Sequence, residues 1–138
     1  MNPQPSNVLQ LSGVHTHIGA YHILHGVDLE VTQGEVTVLL GRNGAGKTTT
    51  LRTIMGLYPA SRGQIRFREH AIEQMQTPDI ARLGVAYVPE SMGIFGDLTV
   101  QENMVLAACS ARHAGELDTG RLEWIFSLFP ALKKFWLY

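Results

Sequence analysis

Apolar and polar residues alternate along three stretches of the chain, and this period of two predicts half-buried β-strands. The stretches cover residues 8–14, 27–31 and 64–68, and a turn signal, TQG, follows the second. We expect the first two to form an antiparallel layer with one solvated face, and the third to be an exposed strand. Residues 36–40 (VTVLL) are apolar on both faces, which indicates a buried parallel strand, and residues 85–88 (VAYV) predict a further apolar strand.

Helices are predicted at four places, from capping residues and from apolar residues at helical spacing. They start near residues 49, 77, 99 and 118. Pro78 stands at the first position of the second helix, and Thr99 with Glu102 forms a capping box at the start of the third. The apolar residues expected to be buried on the last two helices are Met104, Val105, Ala108, Leu122, Ile125, Phe126 and Phe129.

Residues 41–48, GRNGAGKT, match the phosphate-loop pattern G-x-x-x-x-G-K-[ST] at every fixed position. Glycines let the backbone curl until its N–H groups point inward, and the helix that starts there adds its unpaired N–H groups and its dipole. Lys47 is expected to reach the β- and γ-phosphates of a nucleotide, and Thr48 to give its hydroxyl to Mg²⁺. The predicted phosphate-binding residues are Gly41, Asn43, Gly44, Ala45, Gly46, Lys47, Thr48 and Thr49.

Composition narrows the class of protein further. The chain has 138 residues and a formal net charge of −1, so it lacks the basic excess that partners of nucleic acid or anionic membranes usually have. Its single cysteine, Cys109, excludes an internal disulfide and is expected to be a small buried hydrophobe. No apolar run approaches the ~20 residues that span a bilayer, and the N-terminus has no signal-peptide pattern. We therefore expect a cytoplasmic protein with no nucleic-acid partner and no direct membrane insertion.

The chain resembles the ATP-binding subunits of ABC transporters, and among them most of all those of branched-chain amino acid importers. The resemblance extends over nearly all of residues 8–134. It implies an α/β fold of the P-loop NTPase type, with an antiparallel β layer, the phosphate-loop strand and helix, and the start of a helical subdomain. The segments that carry it are GE (34–35), GRNGAGKTTTLRTIMG (41–56), SRGQI (61–65), YVPE (87–90) and DLTVQEN (97–103).

This resemblance implies ATP and Mg²⁺ as ligands and an energy-coupling role at the inner face of the cell membrane. It implies a membrane-embedded permease subunit and a homologous ATP-binding subunit, as dimer partner, for the chain to bind. Glu90 matches the position of the family's Q-loop glutamine, which implies contact with Mg²⁺ and the attacking water; a solvated loop glutamate is the alternative. The family's adenine-stacking aromatic residue matches Ile18 here, with His17 and Tyr21 as the neighbouring rings.

Several features of the family have no match in the chain. The sequence contains no Leu-Ser-Gly-Gly-Gln signature, no later apolar strand ending in Asp-Glu, and no histidine after His113 to act as the switch. Without a Walker B carboxylate we expect phosphate binding without hydrolysis. The alternatives are a non-catalytic nucleotide-binding remnant and a small P-loop kinase.

The extent of the resemblance and the missing motifs divide the chain into three expected parts. Residues 1–7 form a flexible tail, and residues 8–134 form a partial nucleotide-binding domain that stops before the signature and Walker B motifs. Residues 135–138 (FWLY) form an apolar tail outside the family pattern, typical of an interrupted reading frame, with a natural C-terminal helix as the alternative.

Four histidines lie close together in the sequence, at positions 15, 17, 22 and 25. No carboxylate or cysteine stands near them at the spacing that metal ligands need. We therefore expect no metal site at these residues.

Overall fold

A computed structural model describes residues 6–110 and 117–138 of the chain. These residues group into two units, Met1–Ile80 and Ala81–Tyr138. No helix among the described residues is long and apolar enough to cross a membrane. The elements in chain order are β1 (Asn7–Ile18), β2 (Tyr21–Thr32), α1 (Lys47–Ile54), β3 (Ala60–Phe67), β4 (His70–Ala71), α2 (Thr77–Arg82), α3 (Val100–Ser110), α4 (Thr119–Leu128) and α5 (Pro130–Lys134).

The first unit contains a four-stranded antiparallel sheet in the order β2-β1-β3-β4. The predicted antiparallel layer is confirmed, and its two strands are longer than the alternation indicated, with 12 residues each. They meet at a two-residue turn, Gly19-Ala20, where Gly19 has a φ of 58°. β1 begins at Asn7, which pairs with Thr32, so the last residue of the expected tail is part of the sheet; residues 1–5 lie outside the described residues.

Two bulges in β2 decide which side chains share a face of the sheet. Thr16 pairs with Leu24 and His17 with His22, which leaves Ile23 as an extra residue; His15 pairs with His25 and Val14 with Val27, which leaves out Gly26. Each extra residue shifts the alternation of β2 by one position. Thr16 and Leu24 therefore lie on one face, which we call the inner face, and the histidines lie on the other, the outer face.

Helix α1 covers the inner face of the sheet. The Thr16 and Thr53 hydroxyls form a buried hydrogen bond of 3.0 Å that joins β1 to this helix. The strand predicted at residues 64–68 corresponds to the end of β3; it is exposed on one face, at Gln64 and Arg66, but Ile65 on its other face is fully buried. The buried apolar residues of the unit are Leu11, Val14, Leu24, Ile54, Met55, Ile65, Ile72 and Ile80.

Neither of the predicted apolar strands, 36–40 and 85–88, is a strand in the structure. Val36, Val38 and Leu40 are 91%, 68% and 84% exposed. A parallel strand needs a neighbouring strand to pair its N–H and C=O groups, and no described segment forms a ladder with either stretch. The prediction of buried strands at residues 36–40 and 85–88 is therefore wrong for the described part of the chain.

The second unit contains helices that are ordered largely by polar contacts at their ends. The predicted capping box is confirmed: the Thr99 N–H donates to Glu102 Oε2 at 2.8 Å, and the Glu102 N–H donates to Thr99 Oγ1 at 3.2 Å. The backbone N–H of Thr99, followed by its hydroxyl, which donates to Glu102 Oε2 at 2.8 Å, lowers the pKa of Glu102. Asp118 caps α4 by accepting from the Arg121 N–H at 2.9 Å.

The helix faces predicted to be buried are only half-buried, and Phe129 is 60% exposed. Cys109 is exposed, which contradicts its expected burial. Within this unit, Phe126 is covered in part by the Trp136 ring and the Lys133 side chain, whereas Phe129 and Cys109 stay exposed among the described residues. The residues beyond α5 make contacts of their own: the Trp136 carbonyl accepts from the Gln101 N–H at 3.0 Å, and the Trp136 ring meets Phe126 edge-on at 5.2 Å.

A phosphate loop at the start of helix α1

Lys47 lies over the loop that precedes α1. Its Nζ donates to the Gly41 carbonyl at 2.8 Å and to the Arg42 carbonyl at 2.9 Å. An ammonium group has three N–H donors, so one remains for a further acceptor. The Ala45 N–H donates to the Arg42 carbonyl at 3.1 Å and closes the turn. The side chain of Lys47 therefore joins both ends of the loop and places a positive charge at its mouth.

Glycine is required where the loop joins the helix. Gly46 is the N-cap of α1 and has a φ of +90°, a conformation that other residues rarely adopt. A Cβ on Gly46 would stand 2.9 Å from the Cδ2 atom of Leu24. The loop thus approaches β2 more closely than any side chain at this position would allow.

The first turn of α1 presents unpaired backbone donors. Its first intrahelical hydrogen bond runs from the Thr50 N–H to the Gly46 carbonyl at 2.8 Å, so the N–H groups of residues 47–49 have no helical acceptor. The first turn contains no acidic side chain. Together with the positive end of the helix dipole, these donors make an anion-binding site.

The three consecutive threonines have different environments. Thr50 is buried, and its hydroxyl donates back to the Gly46 carbonyl at 2.9 Å. Thr49 is half-buried, whereas Thr48 is exposed at the mouth of the loop, with no hydrogen-bond partner for its hydroxyl among the described residues. Mg²⁺ prefers oxygen ligands. The exposed Thr48 hydroxyl is therefore chemically suited to the predicted role of Mg²⁺ ligand.

The remaining predicted residues occupy the same turn. Asn43 and Gly44 are exposed, and Gly44 has a φ of +84°. A Cβ on Gly41 would stand 3.1 Å from that of Ala45. The structure therefore brings all eight predicted phosphate-binding residues into one loop and helix start, while the ligand contacts of each stay a prediction.

The hairpin of β1 and β2 carries an aromatic ring, that of Tyr21, on the inner face of the sheet. Tyr21 pairs directly with Ile18, which follows Thr16 by two positions and so shares its inner face. Tyr21 is 75% exposed. His17 points to the outer face, where its ring contacts His22 and Ser61. Of the two rings next to Ile18, those of His17 and Tyr21, only Tyr21 thus shares a face with α1.

Glu90 belongs to the second unit. Its side chain is exposed, in the turn that follows Pro89. No described hydrogen bond or ion pair involves it. Its predicted role beside Mg²⁺ stays a prediction.

The four histidines of the hairpin form a stack that their spacing did not reveal. No group of three or more potential ligands among the described residues is arranged to hold a metal ion. Desolvation, and the neighbouring rings of His25, His17 and His15, lower the pKa of His22. The only signal in the sequence was the position of histidines on both sides of the turn at Gly19-Ala20, and the bulges that align them carry no clear signature.

Comparison with known proteins places this geometry in a family. A family model described as "ABC transporter" matches residues 24–134. The chain is 34% identical over 129 residues to the high-affinity branched-chain amino acid transport ATP-binding protein BraG of Pseudomonas aeruginosa, covering 92% of this chain and 54% of that protein. It is 38% identical over 117 residues to the ribose import ATP-binding protein RbsA 2 of Rhizobium etli, covering 84% of this chain and 23% of that protein.

The fold also matches solved structures. A nucleotide-free ATP-binding cassette from an ABC transporter superposes with a TM-score of 0.74 at 21% identity, over 96% of this chain and 57% of the other. The chain thus spans about half the length of BraG and of this cassette.

Proposed function

The chain belongs to the ABC transporter family, and from this membership we propose that it is the nucleotide-binding part of an importer's ATP-binding subunit. The observation that carries the proposal is the loop of residues 41–48, in which Lys47 and the first-turn amides of α1 face the same mouth. The donors and the charge suit a chain of phosphates better than a single carboxylate, since they extend over the loop and the helix start.

We propose the following arrangement of the nucleotide. The phosphates accept from the N–H groups of residues 47–49, and Lys47 exchanges carbonyl acceptors for phosphate oxygens. Thr48 supplies a hydroxyl to Mg²⁺, which when bound neutralises charge on the phosphates. Thr16 and Thr53 hold α1 against the sheet through their buried hydrogen bond, so the donors are positioned before the ligand arrives.

We propose that Tyr21 stacks on the base. Its support is the direct pairing with Ile18, the inner-face location and the exposure of the ring. Stacking on an aromatic ring contributes about 1–3 kcal/mol per base. Replacing Tyr21 by Ala is expected to weaken binding of the nucleotide by about tenfold, while Tyr21→Phe leaves it nearly unchanged. Equal affinities for the two variants would contradict the role.

The transported solute proposed here is a branched-chain amino acid. The support for this solute is the segments YVPE and DLTVQEN, together with the match to BraG over 92% of this chain. The other candidate is ribose, which the higher identity of the ribose import protein favours. Pull-down of the chain with the permease pair of each kind of importer distinguishes the two. Retention by the ribose permease alone would overturn the amino acid assignment.

We propose that the chain works at the inner face of the cell membrane, bound to a permease and paired with a homologous ATP-binding subunit. Hydrolysis is not proposed for the 138 residues alone, because the sequence offers no apolar strand that ends in a Mg²⁺-binding carboxylate. Glu90 is proposed to contact Mg²⁺ or the attacking water when the chain is assembled with the permease and the second ATP-binding subunit.

The test measures nucleotide affinity and phosphate release by the chain. Lys47→Ala is expected to reduce ATP–Mg²⁺ affinity at least about tenfold, because it removes a charge-assisted contact. Lys134→Ala removes an equal charge from α5 in the second unit and serves as the matched control. No difference between the variants would overturn nucleotide binding at this loop, and phosphate release by the unchanged chain would overturn the absence of hydrolysis.

The alternative of a small P-loop kinase has a separate outcome. Transfer of phosphate from ATP to a small-molecule acceptor, abolished by Lys47→Ala, would favour it. Nucleotide binding without release and without retention by either permease would favour the non-catalytic remnant.

A further inference from the structure

The outer face of the hairpin carries four imidazole rings in contact. The His17 and His22 rings are parallel within 7° with centroids 4.2 Å apart, and the His22 and His25 centroids are 3.9 Å apart. His15 Nδ1 lies 3.0 Å from His22 Nε2, a hydrogen bond that requires one protonated and one unprotonated nitrogen. We call these four side chains the histidine stack. His22 is at its centre and contacts the other three.

The stack forms one wall of a groove that continues onto β3. Ser61 and Arg62 line this groove together with His15, His17 and His22. Arg62 is the cross-strand partner of His15. The Ser61 hydroxyl donates to the His15 carbonyl at 3.2 Å, so His17 Nδ1, at 2.9 Å, is the donor to Ser61 Oγ. These contacts fix the ring of His17 and leave its Nε2 for another partner.

The charges around the groove are of one sign. Every titratable or charged side chain that lines the groove or belongs to the stack is basic: His15 and His17 from β1, His22 and His25 from β2, and Arg62 from β3. No carboxylate among the described residues pairs with Arg62. The guanidinium offers a planar fork of N–H donors that matches an oxyanion.

We propose that this groove binds a small oxyanion of the phosphate and sulfate class, held by Arg62 and by imidazole N–H groups of the histidine stack that gain a proton on binding. Burial, and the rings of His25, His17 and His15 beside it, oppose a positive charge on His22 at the centre of the stack. An anion beside Arg62 removes that opposition. Binding of the anion and uptake of a proton are therefore linked, and each strengthens the other.

The groove is separate from the phosphate loop. Thr16 faces α1 on the inner face, whereas its neighbours His15 and His17 face the groove. The groove also differs from a metal site, since the described residues contain no cluster of three potential ligands arranged around an ion. The proposal does not depend on nucleotide binding.

The test uses the full chain with Lys47→Ala, which removes the cation of the phosphate loop as a competing site. Sulfate is the probe, because it remains a dianion between about pH 5.5 and 7.5. Its affinity is measured by NMR from the imidazole resonances at both pH values. With one linked proton, affinity changes by up to about tenfold per pH unit, so binding at the lower pH is expected to be at least about tenfold tighter.

Two further substitutions in this background locate the site. Arg62→Gln is expected to weaken sulfate binding at least about tenfold, whereas Arg66→Gln, an exposed arginine of the same strand outside the groove, is the matched control and leaves it unchanged. Equal affinities for the two variants, equal affinities at the two pH values, or sulfate-induced shifts confined to the amides of residues 41–49 would each overturn the proposal.

A phosphate in this groove has two chemical sources, a free anion and a lipid headgroup. Sedimentation with phosphatidylglycerol vesicles, compared for Arg62→Gln and Arg66→Gln, distinguishes them. If the chain binds both sulfate and vesicles, and Arg62→Gln abolishes the vesicle binding, the source is a lipid headgroup. If the chain binds sulfate but not vesicles, the source is a free oxyanion. Vesicle binding without any sulfate-induced shift would overturn the proposal.

Discussion

The two units of the chain are stabilised in different ways. Every fully buried residue of the described chain lies in the first unit, where α1 packs on the sheet. The second unit has none; its contacts include the capping box, the Asp118 cap, the Asn103 side chain and the backbone hydrogen bonds from α3 to Trp136 and Tyr138. Packing fixes an element against distant parts of the chain, whereas a cap fixes only its own turn. The phosphate loop is therefore positioned by packing, whereas the segment around residues 90–103 is positioned by caps and by backbone hydrogen bonds from Val100 and Gln101 to the C-terminal residues.

The largest expected difference between the units comes from the same substitution made in each. Ile65→Ala removes a fully buried side chain and is expected to lower the free energy of unfolding by about 2–5 kcal/mol. Ile125→Ala, on a half-buried face of α4, is expected to cost about 1 kcal/mol or less. Urea unfolding followed by NMR signals of each unit measures both. Equal costs would remove the distinction.

The buried hydroxyl pair gives the next largest effect. Thr16→Val leaves the Thr53 hydroxyl buried without its partner, which is expected to cost about 1–3 kcal/mol. Thr53→Val leaves Thr16 in the same state. The double variant removes both polar groups and is expected to be more stable than the sum of the two costs predicts. Additive costs in this cycle would show that the hydrogen bond does not join α1 to the sheet.

Asn103 tests how local the order of the second unit is. Its Oδ1 accepts from the Phe95 N–H at 3.0 Å, and its Nδ2, with two N–H donors, lies within 3.0–3.2 Å of the carbonyls of Phe95, Leu98 and Thr99. Asn103→Ala is expected to cost about 1–2 kcal/mol and to speed amide hydrogen exchange of residues 95–99. Asn103→Asp retains the acceptor and loses the donors, and so separates the two contributions. Faster exchange in the first unit as well would contradict local stabilisation.

The smallest effect concerns the capping box and pH. The Thr99 N–H and hydroxyl lower the pKa of Glu102 in the folded chain. The stabilisation is therefore complete above the ordinary pKa of a glutamate, about 4.3, and is lost as pH falls through the lower folded value. The Thr99 amide resonance is expected to shift in that range. Glu102→Gln keeps an acceptor for the Thr99 N–H but does not titrate, so a shift that persists in this variant would have another cause.

Features that depend on neighbouring residues, and the pairing of β1 with β2, could be predicted from the sequence, whereas the strands at 36–40 and 85–88 could not. The phosphate loop and the capping box each depend on residues within a few positions of one another, and both are formed. The strands at 36–40 and 85–88 were predicted from apolar patterns alone, but a strand exists only where a second segment pairs with it, and Val36 and Val88 are exposed in the described chain. The histidine stack was missed for the same reason, since bulges cannot be read from the alternation of a single strand.

The extra residue at Ile23 lets β2 place a leucine against the helix and a histidine in the groove, on opposite faces of the sheet. Along a regular strand, Leu24 and His22 would share a face, because they are two positions apart. The bulge breaks this parity, so Leu24 stands beside Gly46 while His22 joins the groove on the opposite side. If Ile23 were instead paired in a regular ladder, either His22 would turn towards the helix or Leu24 would turn into water. A single unpaired residue thus lets neighbouring positions evolve under unrelated chemical demands.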